Sequence, residues 1–265
     1  MHGQGKWGRM RESLSVFALP ALSLVVFLIF WQVYTVSFGV SVFILPSPTR
    51  IFETALRFGF PLFGHVWTTT YQILIGFCVG NLLAVLIAYA IVRSVTAERM
   101  IYPFLIVSQT IPKLAIAPLL VIWFGTGLTP KVIIIVLLCF FPTAINVVQG
   151  LRSTDPNAID LVQLVTASKR TLFFKVQFPS AVPYFFAGLK ISMAAAVIGS
   201  IIAEWVSATS GLGYLILYGG QTMRTDLMFV AVALTVILGL GLYGAVALAE
   251  QLLSWKTAEI DGRAA

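Results

Sequence analysis

The chain of 265 residues is strongly apolar: 59% of its residues are hydrophobic, 10% are charged, and its mean hydropathy is +0.96. A soluble domain carries about 25% charged residues, so this chain has too few to cover a surface that faces water. The composition therefore excludes an ordinary soluble protein and predicts a membrane protein. The net charge of +7 comes with no basic and aromatic module of the kind that reads nucleic acid, and we expect no such partner.

Six apolar stretches are long enough to cross a bilayer, since a crossing needs about 20 apolar residues. Backbone groups must be bonded internally within lipid, so the prediction is an all-α membrane protein with six transmembrane helices. After a tail over residues 1–14, the crossings are predicted at 15–38, 69–92, 100–124, 131–150, 183–205 and 227–252, before a second tail over 253–265. Most Lys and Arg residues outside these stretches fall on the side of the N-terminus, which predicts that both termini are cytoplasmic.

The first long connection, over residues 39–68, is predicted to lie outside the cell. The segment 45–48 (Leu-Pro-Ser-Pro) favours a turn, and Thr49 is a candidate cap for an amphipathic helix from Arg50 to Phe58. His65 and Trp67 are interpreted as anchors at the membrane surface. The remaining five crossings form a core over residues 69–252, where Gly76 and Gly80 predict close packing of the second crossing.

The second long connection, over residues 151–182, is predicted to lie in the cytoplasm. Asp155-Pro156 is a helix-start signal, and an apolar run over 158–165 follows it. The run breaks at 166–168, resumes after the basic pair 169–170, and is expected to end at Pro179. The pattern predicts a helix, a turn and a second helix that together form a compact lever.

This cytoplasmic segment resembles the "EAA" loop of binding-protein-dependent ABC importer permeases. The family pattern has an acidic residue, a glycine and a Leu-Pro pair, and this chain keeps the spacing at Asp160, Thr166 and Pro179. The residue types differ, with Asp for Glu, Leu161-Val162 for two alanines, Thr for Gly and Phe178 for Leu. Further segments resemble the branch for sulfonates, taurine, nitrate, riboflavin and thiamine precursors: 45–49, 109–113, 121–125, 203–205 and 211–216.

The resemblance implies a permease bundle that pairs with a second copy, most simply as a homodimer, in the bacterial inner membrane. Two cytoplasmic ATPase subunits would dock on the lever and bind ATP and Mg²⁺, and an external binding protein would deliver the solute. No Walker A pattern occurs in the chain, so the permease is expected to be neither an enzyme nor a holder of cofactors. The sequence does not single out the solute, which the resemblance describes as riboflavin-like, thiamine-precursor-like or sulfonate-like.

The candidate functional residues form two groups. A contact that couples the ATPase to the bundle is expected from the lever residues Asp160, Thr166, Ala167, Ser168, Lys169, Arg170 and Pro179. Candidate pathway residues are Gln109, Lys113 and Glu204. A charge at bilayer depth should face the bundle interior or water. For Lys113 the alternatives are a pathway role or pairing within the bundle, for example with Glu204. For Glu204 they are a gate or an anchor with a satisfied carboxylate.

An ion-gradient-driven secondary transporter is the alternative function, but it usually needs a network of intramembrane acids or histidines. A membrane enzyme needs a catalytic constellation, and His2 and His65 have no sequence partner for one. Cys78 and Cys139 form no ligand cluster, so no metal site is expected. Lys190 is expected to extend its amine toward the cytoplasmic surface.

Overall fold

The computed structural model describes residues 5–165, 168–207 and 209–261, and within them all regular structure is helical. A single π-helical turn, Phe173–Gln177, interrupts the α-helices. The α-helices in chain order are α1 Gly5–Ser37, α2 Pro48–Phe58, α3 Pro61–Arg93, α4 Val95–Thr110, α5 Lys113–Phe124, α6 Leu128–Arg152, α7 Pro156–Val165, α8 Lys169–Leu172, α9 Phe178–Ser207, α10 Leu212–Gln221 and α11 Thr225–Asp261.

The predicted all-α membrane fold is confirmed. Within the described residues, five helical stretches are long and apolar enough to cross a membrane, and α4 with α5 makes a sixth if the bent pair counts as one span. The five stretches are Ala18–Ser37, Pro61–Arg93, Leu128–Arg152, Arg170–Ser207 and Thr225–Leu253. The side on which the termini lie stays a prediction.

The third crossing differs from the single helix that the sequence predicts over 100–124. The helix is interrupted between Thr110 and Lys113, and the axes of α4 and α5 differ in direction by 99°. The cause is Pro112, which disfavours helical dihedrals in the residue before it; Ile111 accordingly has φ −72° and ψ 125°. This span is therefore broken at one defined point.

Two other boundaries correct the sequence prediction. Pro179 does not end the second lever helix: it lies in the first turn of α9, and the π-helical turn lets the Phe178 N–H reach the carbonyl of Phe173. A proline is tolerated in a first turn, and the wider π turn lets the helix run past it. Residues 211–213 do not simply form a turn, because α10 begins at Leu212.

The chain divides into two compact units, and the first comprises residues 1–62 and 216–231. In it, Ser47 rather than Thr49 caps α2, since its Oγ accepts the N–H of Arg50 at 3.3 Å. The Gln32 carboxamide holds Thr49 from α1 through the Thr49 N–H and hydroxyl, both at 3.1 Å. An apolar cavity of about 430 Å³ also lies in this unit, between aromatic side chains of α1 and Phe229 of α11.

The second unit, residues 63–215 and 232–265, contains the membrane core, in which α6 and α9 form the most extensive helix pair. A buried polar node joins three of its helices. The Asn81 Oδ1 on α3 accepts the hydroxyls of Thr143 on α6 and of Ser192 on α9, the latter at 3.0 Å. Such bonds hold helices together in lipid, where no apolar driving force does so.

The expected close packing at Gly76 and Gly80 is confirmed. A Cβ at Gly76 would lie 2.5 Å from the Cβ of Ile135, and one at Gly80 would lie 3.1 Å from that of Cys139. Both contacts are with α6, so the two glycines let α3 approach α6 closely.

We predict that Gly76→Ala lowers the thermal unfolding midpoint of the purified protein in detergent. In an unobstructed helix the same change stabilises by about 0.5–1 kcal/mol, so a loss must come from the clash with Ile135. Gly64→Ala is the matched control, because a Cβ at this position of α3 meets nothing within 4 Å. An equal gain in both variants would contradict the packing described.

Candidate functional site

The lever begins directly at the end of a membrane-spanning helix. Arg152 ends α6, and Asp155 starts α7 by accepting the Asn157 N–H at 2.9 Å. On α7 the side chains of Leu161 and Leu164 are 64% and 86% exposed, and Asp160 is exposed beside them. A short helix held by a cap thus presents apolar side chains outward.

The second half of the lever is tied to the membrane core through Phe173. This side chain packs against the buried cluster that contains Ile91, Val148 and Leu151, and its ring lies 5.0 Å from that of Tyr89 on α3. The π-helical turn leads without a break into α9, so the second half of the lever is continuous with a spanning helix.

The structure places some, but not all, of the predicted coupling residues. Thr166, Ala167 and the side chain of Lys169 lie outside the described residues. Ser168 starts α8, where its Oγ accepts the Thr171 N–H at 3.4 Å. Arg170 is exposed and lies 5.9 Å from the ring centroid of Phe174.

An ion pair joins the start of the lever to the broken span. The guanidinium of Arg152 lies 2.7 Å from the carboxylate of Glu98 in the first turn of α4, and 5.9 Å from the ring of Tyr102. Both charged side chains are partly exposed, so the pair contributes little to stability. Its position matters more, because it links the lever end of α6 to the helix that carries the break.

Lys113 lies directly after that break. Its Nζ donates to the carbonyl of Gln109 at 2.9 Å and lies 5.5 Å from the ring centroid of Phe141. The break removes the usual helical partner of this carbonyl, and the ammonium group replaces it. The side chain of Gln109 is exposed, and that of Lys113 is half-buried. A pairing of Lys113 with Glu204, the example given for the structural alternative, is not what the structure shows.

Glu204 instead caps the start of α10 from within the core. Its side chain is buried, with 1% exposure, and its carboxylate accepts the hydroxyl of Thr69 at 2.8 Å and the Gly213 N–H at 2.6 Å. The Thr69 oxygen in turn accepts the Leu212 N–H at 2.8 Å. The nearby cation is Lys131, 9% exposed, which interacts electrostatically with the carboxylate.

Two further side chains complete this cap. The Gly211 N–H donates to His65 Nδ1 at 3.0 Å, and the backbone of Tyr214 also bonds to the Glu204 carboxylate. A side chain at Gly211, where φ is +118°, would collide with this carboxylate. The N–H groups of residues 211–214 are therefore bonded to side chains of α3 and α9. This geometry favours an anchor over a gate for Glu204, and His65 has a role besides surface anchoring.

Sequence reasoning missed Thr69 and Lys131, and it missed the partner of Lys190. The signal for Thr69 is present, since His65, Thr69 and Gln72 form a polar stripe along one face of an apolar helix. Lys190 on α9 forms an ion pair with Glu250 on α11.

Comparison with known proteins finds a matching family model and several relatives. Residues 80–255 match the model of the family described as binding-protein-dependent transport system inner membrane component. A probable ABC transporter permease protein of Haemophilus influenzae is 35% identical over 84% of this chain and 91% of its own length. A formylaminopyrimidine transport permease of Halalkalibacterium halodurans is 34% identical (89% and 95%), and a riboflavin transport system permease of Chloroflexus aurantiacus is 36% identical (91% and 92%).

We predict that Thr69→Val destabilises the protein by about 1–3 kcal/mol, because it leaves the buried Leu212 N–H without an acceptor. Thermal unfolding in detergent measures the loss. Thr68→Val is the control, since the Thr68 hydroxyl bonds only to the Gly64 carbonyl of its own helix. If both variants unfold at the wild-type temperature, the cap on α10 contributes nothing.

Proposed function

The chain belongs to the family of inner membrane components of binding-protein-dependent transport systems, and from this premise we propose how it couples ATP hydrolysis to solute import. It is a multi-pass inner-membrane permease of an ABC importer for small solutes. The family match supports the proposal most strongly, because it runs from α3 through the lever into α11.

The lever is the proposed docking element for the ATPase. Leu161 and Leu164 are exposed on a segment that sequence charge assigns to the cytoplasm, and large apolar side chains left in water usually mark a protein interface. Asp160 and Arg170 flank them with charges for a polar rim. The same role is proposed for Thr166, Ala167, Ser168 and Lys169, and Pro179 would fix the junction with α9.

The broken span is the proposed gate. A displacement of the lever would be transmitted to α9 through the packing of Phe173 and to α4 through the Arg152–Glu98 ion pair. A helix pair already bent at Pro112 can change its angle at that point without breaking further backbone bonds. Gln109 and Lys113 lie at the bend, and we propose that they face the solute pathway in one of the two states.

The remaining components are proposed from the family. Two ATPase subunits that bind ATP and Mg²⁺ would act on the levers of two permease copies, and an external binding protein would supply the solute. We propose a heterocyclic solute, because two of the relatives are named for formylaminopyrimidine and riboflavin transport. Competition between these compounds and taurine for uptake would discriminate this class from sulfonates.

No observation on the described residues favours an ion-gradient-driven transporter. Such a protein needs a carboxylate that is free to load and release an ion. Here the carboxylate of Glu204 is bonded to the start of α10, and that of Glu250 is paired with Lys190.

We predict that Leu164→Asp or Arg170→Glu lowers the recovery of the ATPase with the tagged permease at least about tenfold in mild detergent, as expected for losing an interface anchor. Quantitative mass spectrometry of the purified complex measures the recovery. Arg99→Glu is the matched control, since Arg99 is an exposed arginine on α4, outside the lever.

Normal ATPase recovery with both lever variants would place the docking surface elsewhere. A permease that purifies without any ATPase, in the wild type as well as in the variants, would contradict the proposed function itself.

A further inference from the structure

A cavity lined by arginines lies in the first unit of the chain. Its volume is about 330 Å³, and it opens between one face of α2 and the turn that leads into α11. This arginine cavity is lined by Arg50, Thr54, Arg57, Phe58, Arg224 and Asp226.

The arginines retain capacity to bind an anion. The Nε of Arg50 is shielded from solvent and has no hydrogen-bond partner among the described residues. Arg50 and Arg57 approach the Glu53 carboxylate only to 3.9 and 3.8 Å, and all three side chains are substantially exposed. Exposed pairs at such distances contribute little. Within the described part of the chain, Arg224 forms no ion pair.

Both carboxylate oxygens of Asp226 in the cavity already accept hydrogen bonds. Asp226 Oδ2 accepts the hydroxyl of Thr54 at 3.0 Å, and Oδ1 accepts the Leu227 N–H at 2.8 Å. Asp226 thus joins α2 to the start of α11. Among the described residues it forms no salt bridge with an arginine. The position of Arg224 is fixed as well, since its N–H donates to the Gly219 carbonyl at 2.8 Å.

From the ends of the apolar spans we expect the cavity to lie at a membrane boundary. One apolar span ends at Ser37, shortly before α2, and another begins at Thr225, next to Arg224. On α2 the side chains of Phe52 and Leu56 are each 66% exposed, beside the arginines. An amphipathic helix with this distribution inserts its apolar side chains between lipid tails and keeps its charges at the level of the headgroups.

We propose that the arginine cavity binds a phosphate-bearing anion, supplied either by a phospholipid headgroup or by a soluble phosphate ester. The guanidinium fork matches the oxygens of a phosphate group, and three forks around one cavity can share its charge. The hydroxyl of Thr54 lines the same cavity. This site is independent of the proposed import function.

The test is native mass spectrometry of the full-length chain titrated with phosphatidylglycerol or with diacylglycerol of identical acyl chains. The wild type should bind phosphatidylglycerol about tenfold more tightly, the size of effect that one or two charge-assisted hydrogen bonds give. Arg57→Gln with Arg224→Gln should abolish this preference, whereas Arg99→Gln removes an arginine outside the cavity and should not. Arg224→Lys, which keeps the charge and loses the fork, should reduce the preference in part.

Competition identifies the source of the phosphate. If glycerol 1-phosphate at millimolar concentration does not displace phosphatidylglycerol, the ligand is the lipid; if it does, the site takes a soluble ester. An unchanged lipid preference in the double variant overturns the proposal. If that double variant also fails to bind the external binding protein, the arginines form a protein-docking surface instead.

Discussion

The constraint on which this structure depends is that backbone polar groups cannot be left unbonded within lipid. A helix start exposes backbone N–H groups that have no partner within the helix, and α10 starts inside the buried core. Those groups are bonded to His65, Thr69 and Glu204, which come from α3 and α9. One requirement of backbone chemistry thereby joins three helices and explains a buried carboxylate without assigning it to transport.

The same constraint acts at the break in the third span. Pro112 breaks the third span, and Lys113 bonds to the carbonyl that the break releases. The carbonyl of Gln109 therefore keeps a hydrogen-bond partner although the helix is broken. Elsewhere the packing resists change, because Gly76 and Gly80 press α3 against α6 and the Asn81 node joins α3, α6 and α9. This packed core and the single broken span agree with the gate proposed at Pro112.

The fold was largely predictable, since apolar length decides membrane crossings and Asp155-Pro156 marks the start of α7. Local sequence patterns did not predict the features that depend on contacts between helices. The third crossing was predicted as one helix over 100–124; Pro112 disfavours helical dihedrals at Ile111, but the size of the bend, 99°, also depends on what α4 and α5 pack against. Pro179 looked like a stop because the π-helical turn that accommodates it leaves no sequence mark. Lys131 is the first residue of the predicted fourth crossing, and its proximity to Glu204 exists only after folding.

The central claim is that ATP hydrolysis by a partner subunit drives solute through this chain. The most direct test is uptake of radiolabelled riboflavin or formylaminopyrimidine into proteoliposomes that contain the permease and its ATPase, with the binding protein added outside and ATP enclosed. We expect uptake that needs ATP and persists when ionophores collapse all ion gradients. Uptake that runs without ATP on an imposed ion gradient, and stops with ionophores, would contradict the claim.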